Sequence, residues 1–180
     1  MKPAVLQCSW MRGLGLATFL GIGFGAGGGT AQVPALRAPF PIEGWRYSLL
    51  DGDLHMHECI QDRCKPGSRV SYRLTVPDRA ITLDVFKDTR RRIEAELRTR
   101  LGPGALLQTE EPTAGETGPV RILRSRRMEM RADGTRISTL STLFIGRAMG
   151  VDLMSSSIDP SVVDANAQTF LALIVSSDAL

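Results

Sequence analysis

The fold is decided by the stretch Val120–Ser157, which reads VRILRSRRMEMRADGTRISTLSTLFIGRAMGVDLMSSS. Up to Arg131, apolar residues of one parity alternate with charged residues of the other, a period of two that is typical of a strand with one dry and one wet face, although Arg124 and Arg126 interrupt the dry face in its middle. The Asp133-Gly134 pair favours a two-residue type I′ turn, because these residue types tolerate positive φ angles. The stretch therefore predicts an antiparallel meander of two or three strands. The dry face predicted for its first strand consists of Val120, Ile122, Met128 and Met130.

The return strand, Arg136–Gly146, carries apolar residues on both parities, which predicts that it is covered on both faces. Val151–Ser157 is predicted as the third strand. Arginines are frequent along the hairpin. We interpret them as a solvated sheet face, the usual place of surface charge, with a basic patch as the alternative. They are Arg124, Arg126, Arg127, Arg131 and Arg136.

An amphipathic helix is predicted on each side of the meander. Thr82–Leu101 repeats apolar residues at helical spacing, with Thr82 as the N-cap. Residues 160–176 follow a capping Asp159 and begin with Pro160, in the first helical position, where a missing N–H has no consequence. The predicted buried stripes are Leu83, Phe86, Ile93, Leu97 and Leu101, with Arg90 as a gap, and Val163, Ala167, Phe170 and Ile174.

Further strands are predicted before the meander. Trp45–Leu50 and Asp53–Ile60 flank an Asp-Gly pair and predict a hairpin. Arg69–Val76 shows the cleanest alternation in the chain, and Ala105–Thr109 predicts a short strand. Glu110–Pro119 is acidic and rich in glycine and proline, so it is predicted to be a mobile loop.

This order of elements predicts an α+β fold, a mainly antiparallel sheet of about five to seven strands with two helices on one or both faces. The order is similar to that of the PsbP-like α/β/α sandwich, whose members are exported or peripheral accessory proteins. The resemblance covers most of the mature chain, but no short PsbP motif matches, so it implies no functional residue. The chain also resembles the many small secreted proteobacterial proteins of unassigned activity.

The amino terminus is interpreted as a secretion signal, residues 1–31. Lys2 and Arg12 are positive, residues 13–24 are apolar, and small residues precede a cleavage point at Ala31. Met11 is an alternative start, which N-terminal sequencing of the precursor would test. A proline-rich extended lead-in, residues 32–44, and a single domain, residues 45–180, follow. The apolar run falls short of the roughly 20 residues of a membrane span, so no transmembrane segment is expected after cleavage.

The charge of the chain does not favour nucleic acid as a partner. The formal net charge is +3, and it falls to +1 once the signal, with two basic and no acidic residues, is removed. The expected location is the periplasm or the outside of a bacterial cell, and the expected state is a monomer that binds an envelope protein or a small ligand.

Two cysteines, Cys59 and Cys64, remain after cleavage of the signal. In an oxidising compartment such a pair is usually a disulfide. The ring is small, so the bond would stabilise a local turn by less than the ~3 kcal/mol of a 15-residue loop.

The segment His55-Met56-His57-Glu58-Cys59 contains the only two histidines of the sequence. On a strand His55, His57 and Cys59 share one face, with Met56 and Glu58 on the other. Two imidazoles near a thiolate or thioether suit copper or zinc, with Met56 or Glu58 as a candidate further ligand. A disulfide would remove Cys59 from this set. The other interpretation is a structural strand with two half-exposed histidines.

The sequence contains no catalytic motif that we recognise. Ser155-Ser156-Ser157 lacks a Gly-x-Ser-x-Gly context, and no phosphate-binding loop is present. We therefore expect an exported, non-catalytic binding or accessory module of the cell envelope without a cofactor. A periplasmic copper- or zinc-binding protein that uses His55 and His57 is the alternative, and a hydrolase is a third hypothesis.

Overall fold

The computed structural model describes residues 40–177 of the chain. The predicted signal and the lead-in up to residue 39 lie outside the described residues. One antiparallel sheet holds the strands in the order β1-β2-β3-β8-β7-β6-β4, and β5 pairs with β6 beside β4. The strands are β1 (Trp45–Leu50), β2 (Leu54–Cys59), β3 (Arg69–Thr75), β4 (Leu106–Thr109), β5 (Thr113–Thr117), β6 (Val120–Met130), β7 (Arg136–Ile145) and β8 (Gly150–Ser157), and the helices are α1 (Leu83–Leu101) and α2 (Val163–Ser177).

The two helices lie on opposite faces of the sheet. Val70 and Leu140 both pair with Ser155, so these three residues share one face, which we call the α2 face. The helix α2 packs on this face, mainly over β8 and β7, and its predicted stripe is buried there. The core on this side consists of Phe40, Val70, Tyr72, Leu140, Phe144, Val151, Leu153, Val163, Ala167, Phe170 and Ile174.

The opposite side of the sheet, the α1 face, carries Asp152. The guanidinium of Arg90 on α1 lies 3.6 Å from this carboxylate and 4.6 Å from the ring centre of Phe86. Arg90 thus fills the gap in its helical stripe with a charged group that is largely buried. Burial lowers the pKa of Arg90, and the charge of Asp152 opposes this. The buried apolar residues on this side are Phe86, Leu107, Leu123 and Ile145.

The α+β class, the antiparallel sheet and the two amphipathic helices are therefore confirmed. The sheet has eight strands rather than five to seven, because the predicted loop Glu110–Pro119 contains β5. The strand β6 is long, and β4 pairs only with Arg127–Met130. The outer edge of Val120–Arg124 is thus free to pair with β5, although every residue of β5 is exposed.

The dry face predicted for β6 is wrong in the middle of the strand. Leu123, Ser125 and Glu129 are buried, all on the parity that was predicted to be wet, whereas Ile122 and Met128 are only half-buried. The reason is that α1 covers that parity, while α2 packs mainly on β7 and β8. The strand β7 is buried on both parities, as its composition predicted.

The five arginines of the hairpin do not form one basic patch. Arg124 and Arg126 lie on the α2 face and Arg127 lies on the α1 face, because neighbouring residues of a strand point to opposite sides. Arg126 donates two hydrogen bonds to the Asp164 carboxylate, at 2.6 and 2.8 Å. These bonds raise the pKa of Arg126.

The turn at Asp133-Gly134 is not of type I′. Only Gly134 of the pair has a positive φ, 81°, and its N–H donates to the Arg131 carbonyl over 2.9 Å, while the Arg131 N–H donates to Thr135. This is a three-residue loop in which a type I turn is followed by a left-handed glycine. Two successive positive φ angles, as type I′ requires, occur instead at the other Asp-Gly pair, Asp51-Gly52, in the β1–β2 hairpin.

Both predicted helix caps are confirmed. The Thr82 hydroxyl accepts a hydrogen bond from the N–H of Val85 at 3.3 Å, and an Asp159 carboxylate oxygen accepts from the N–H of Ser161 at 3.0 Å. The first turn after Asp159 is a 3-10 helix, Pro160–Val162. Within residues 40–177, neither helix combines the length and apolar character that crossing a bilayer requires.

Candidate functional site

A group of aromatic and imidazole rings lies on the α2 face at the β1–β2–β3 end of the sheet. Tyr47 on β1 is directly opposite His57 on β2, and His55 is directly opposite Tyr72 on β3. Strand alternation places all four side chains on one face. Phe40, from the lead-in, completes the group. We call these five residues, Phe40, Tyr47, His55, His57 and Tyr72, the ring cluster.

His57 occupies the centre of the ring cluster. Its side chain is 0% exposed, and the ring of Phe40 stacks on it at 5.4 Å with an angle of 5° between the planes. Phe170 of α2 meets the imidazole edge-on at 4.8 Å. Neither ring nitrogen has a hydrogen-bond partner among residues 40–177. The interpretation of two half-exposed histidines is therefore wrong for His57.

The burial of His57 is energetically unfavourable. A neutral imidazole has one donor and one acceptor, and burying a polar group without a partner costs about 1–3 kcal/mol. Such a group in a folded protein calls for an explanation, for example a ligand or ion that completes its bonding.

His55 lies closer to the surface and is half-buried. Its Nδ1 atom shares a hydrogen bond of 3.1 Å with the hydroxyl of Tyr47. Its ring stacks on Tyr72, with ring centres 4.7 Å apart and nearly parallel planes. His55 therefore has one nitrogen bound to a phenol, in contrast to His57.

The environment keeps both imidazoles neutral near pH 7. Burial, and to a lesser extent the neighbouring His55, lower the pKa of His57 to about 4. Burial also lowers the pKa of His55, although the negative charge of Asp53 opposes this. Burial raises the pKa values of Tyr47 and Tyr72, so both phenols stay protonated. The cluster thus offers neutral nitrogen lone pairs.

Phe40 is held over His57 by the strap, which we define as residues 40–44. The carbonyl of Gly44 accepts a hydrogen bond of 2.8 Å from the N–H of Ile60, and the Arg63 guanidinium donates to the carbonyl and the carboxylate of Glu43. Both donors belong to the Cys59–Cys64 loop. The first residue of the strap, Phe40, is thus buried in the core.

The disulfide between Cys59 and Cys64 is confirmed, with the two Cα atoms 5.9 Å apart. Both cysteines are buried. Because its sulfur is bonded to Cys64, Cys59 is lost as a metal ligand.

Met56 and Glu58 are wrong as further ligands, because they lie on the opposite face of β2. The carboxylate of Glu58 is already bound by Arg46 and Arg69. Of the segment 55–59, only the two histidines remain together as ligand candidates. Within the described part of the chain, no three or more His, Cys, Asp or Glu side chains lie close enough to hold one ion.

Sequence reasoning missed three members of the ring cluster. Tyr72 had a signal, because it shares a parity with Val70 in a clearly alternating strand. The sequence signal for Tyr47 was weaker, since the residue opposite it depends on the β1–β2 register. No sequence signal pointed to Phe40, because it lies in an aperiodic segment with prolines on either side.

A surface depression of about 900 Å³ lies at the far end of the sheet beside β4 and β6. Arg126 lines this depression, but its guanidinium is already paired with the Asp164 carboxylate and lies 3.6 Å from that of Glu110. The ring cluster is the stronger candidate because His57 is unpaired within residues 40–177.

Comparison with known proteins gives little beyond the fold. No protein-family model matches the chain, and no curated protein matches its sequence. Among solved structures, the chain is similar to the solution structure of cyanobacterial PsbP (CyanoP) from Synechocystis sp. PCC 6803. The identity is 11%, the TM-score is 0.49, and the match covers 76% of this chain and 80% of that one. This is a weak likeness in fold.

Proposed function

We propose that the protein is an exported, non-catalytic binding or accessory module of the bacterial cell envelope that works in the periplasm. The observation that carries this proposal is the Cys59–Cys64 disulfide. Disulfides persist in oxidising compartments and are rare in the cytosol. The bond also closes the loop that holds the strap, so an oxidised state supports the described fold.

The surroundings of the histidines support binding over acid–base catalysis. His55 bonds to a phenol, and His57 packs against Phe40 and Phe170. A general base needs a pKa near the working pH, and the pKa of His57 lies at about 4. The partner of the module would be an envelope protein or a small ligand.

The test is the intact mass of the protein recovered from the periplasm of a bacterial host. We expect a chain cleaved after Ala31 and lighter by two hydrogens than the reduced form. A chain that begins at Gln32, without the signal, is the matched control and should stay in the cytoplasm with free thiols. An uncleaved wild-type chain with free thiols in the cytoplasm would contradict the proposal.

A second candidate function is metal binding in the periplasm, with copper or zinc held by His55 and His57. The observation that favours it is the fully buried His57, whose ring nitrogens have no partner in the described chain. A neutral imidazole is a common ligand for both metals. Metal titration of the exported protein, with both histidines replaced by alanine as the control, tests this function.

A further inference from the structure

The ring cluster contains a polar group in a place that an apolar ring would fill equally well. His57 stacks on Phe40 with nearly parallel planes and meets Phe170 edge-on, as a phenylalanine would. Its nitrogens make no hydrogen bond within residues 40–177. The imidazole therefore contributes no packing contact that a phenylalanine ring would not also make, and its two nitrogens remain as possible ligand atoms.

The donor atoms of the cluster select among metal ions. They are the nitrogens of two neutral imidazoles, with the hydroxyl of Tyr47 within 3.1 Å of His55 Nδ1. Zinc is almost always four-coordinate in structural sites and has three protein ligands in catalytic ones, and calcium and magnesium require oxygen ligands. Cu(I), by contrast, forms stable linear complexes with only two nitrogen ligands. Histidines two residues apart on a strand have Cα atoms roughly 7 Å apart, which lets two rings turn toward one ion.

The apolar surroundings also favour a monovalent ion. The free energy of transferring an ion into a low-dielectric medium rises with the square of its charge, so a single charge is far less unfavourable than a double one. The ring of Tyr72 stacks on His55 and the ring of Tyr47 is tilted against His57, so two π-systems that attract cations border the site. The burial effect favours Cu(I) over zinc, because zinc carries two charges.

Access to this site is closed by Phe40. Its ring stacks on His57 at 5.4 Å and is itself buried. Phe40 does not belong to the sheet, and the strap is attached outside the hydrogen-bond ladder of the sheet, by the Gly44–Ile60, Arg63–Glu43 and Trp45–Ile42 hydrogen bonds and by the packing of Ile42 on the core. Displacing Phe40 therefore requires no change in the pairing of β1, β2 and β3.

We propose that His55 and His57 bind one Cu(I) ion between them and that Phe40 is a displaceable cover over this site. This inference rests on the second candidate function, metal binding by the histidine pair. On binding, the hydrogen bond between His55 and Tyr47 is exchanged for a bond to the metal. The ion enters and leaves as Cu(I), so no electron is transferred.

The experiment is an anaerobic titration of the exported, oxidised chain with Cu(I) in competition with the chromogenic chelator bathocuproine disulfonate. We expect one Cu(I) per chain, and His57→Phe and His55→Phe should each weaken affinity at least 100-fold. Met56→Leu, on the opposite face of the same strand, is the matched control and should bind like the wild type. X-ray absorption should show two nitrogen ligands and no sulfur.

The cover is tested by the rate of Cu(I) uptake. Phe40→Ala should take up the ion at least 10-fold faster than the wild type. Phe40→Leu keeps an apolar side chain and serves if the alanine variant does not fold; its uptake rate should lie between those of the wild type and Phe40→Ala. Equal rates in the wild type and both variants would overturn the cover.

The other outcomes separate the inference from the function beneath it. Histidine-dependent binding of Zn²⁺ as tight as that of Cu(I) leaves the metal function standing and overturns the Cu(I) site. Binding that survives His57→Phe overturns the site as well. A wild-type chain that binds neither ion overturns both, while the exported module remains to be judged by its periplasmic mass.

Discussion

Replacing His57 with phenylalanine should remove much of the acid sensitivity of this protein. In the unfolded chain His57 takes up a proton as the pH falls below about 6.5, the ordinary histidine value. In the folded chain its pKa is about 4, so the buried ring stays neutral over this range. Protonation then favours the unfolded state, and stability is lost as the pH falls from about 6.5 toward 4. Above pH 6.5 His57 is neutral in both states, so its titration no longer changes the stability.

The size of this effect follows from the two pKa values. Linkage gives about 2 kcal/mol of lost stability at pH 5.0 and approaches 3 kcal/mol near pH 4, for a side chain that is 0% exposed. For a domain of this size, 2 kcal/mol corresponds to roughly 4–8 °C in melting temperature. At pH 7.5 we expect His57→Phe to be as stable as the wild type or slightly more stable, because two unpaired polar atoms are removed.

The assay is urea denaturation in metal-free buffer at pH 7.5 and pH 5.0, followed by circular dichroism. Carboxylates titrate in both proteins alike, so the difference between the two pH dependences isolates His57. The control is His55→Phe, which should remove less of the dependence, because His55 is half-buried and Asp53 opposes the lowering of its pKa. The reasoning is refuted if His57→Phe loses as much stability between the two pH values as the wild type does.

Three further predictions concern the fold. Replacing Cys59 and Cys64 by serine should lower the free energy of unfolding by about 2 kcal/mol, which is the chain-entropy value for so short a loop. Equal urea midpoints of the wild type with and without dithiothreitol would contradict this. Gly134→Ala should cost about 1–2 kcal/mol, because its φ is 81°, whereas Gly115→Ala, with an ordinary φ and open space around it, should be neutral in the same thermal melts. Thr82→Ala should lose about 1 kcal/mol with the helix cap, and Thr82→Asp should restore it, since aspartate also caps; loss in both variants would argue against capping.

Local patterns predicted most of the elements and part of the site. The alternation of β3, the caps at Thr82 and Asp159 and the disulfide depend on neighbours a few residues away, and the structure confirms them. The pairing of the two histidines on one face of β2 followed from the strand period alone. The burial of His57 did not, because nothing in a two-residue spacing says what covers the strand.

The amino-acid sequence by itself determined the α+β class, the positions of both helices and the cysteine pair, since helical spacing, strand alternation and capping are short-range properties. Only the tertiary structure decided which parity of β6 is dry, because that depends on where α1 lies. It also brought Phe40, His57 and Phe170 into contact across long stretches of chain. Side-chain burial is a property of the assembled layers, and for this reason the ring cluster appears only once the sheet and α2 are packed together.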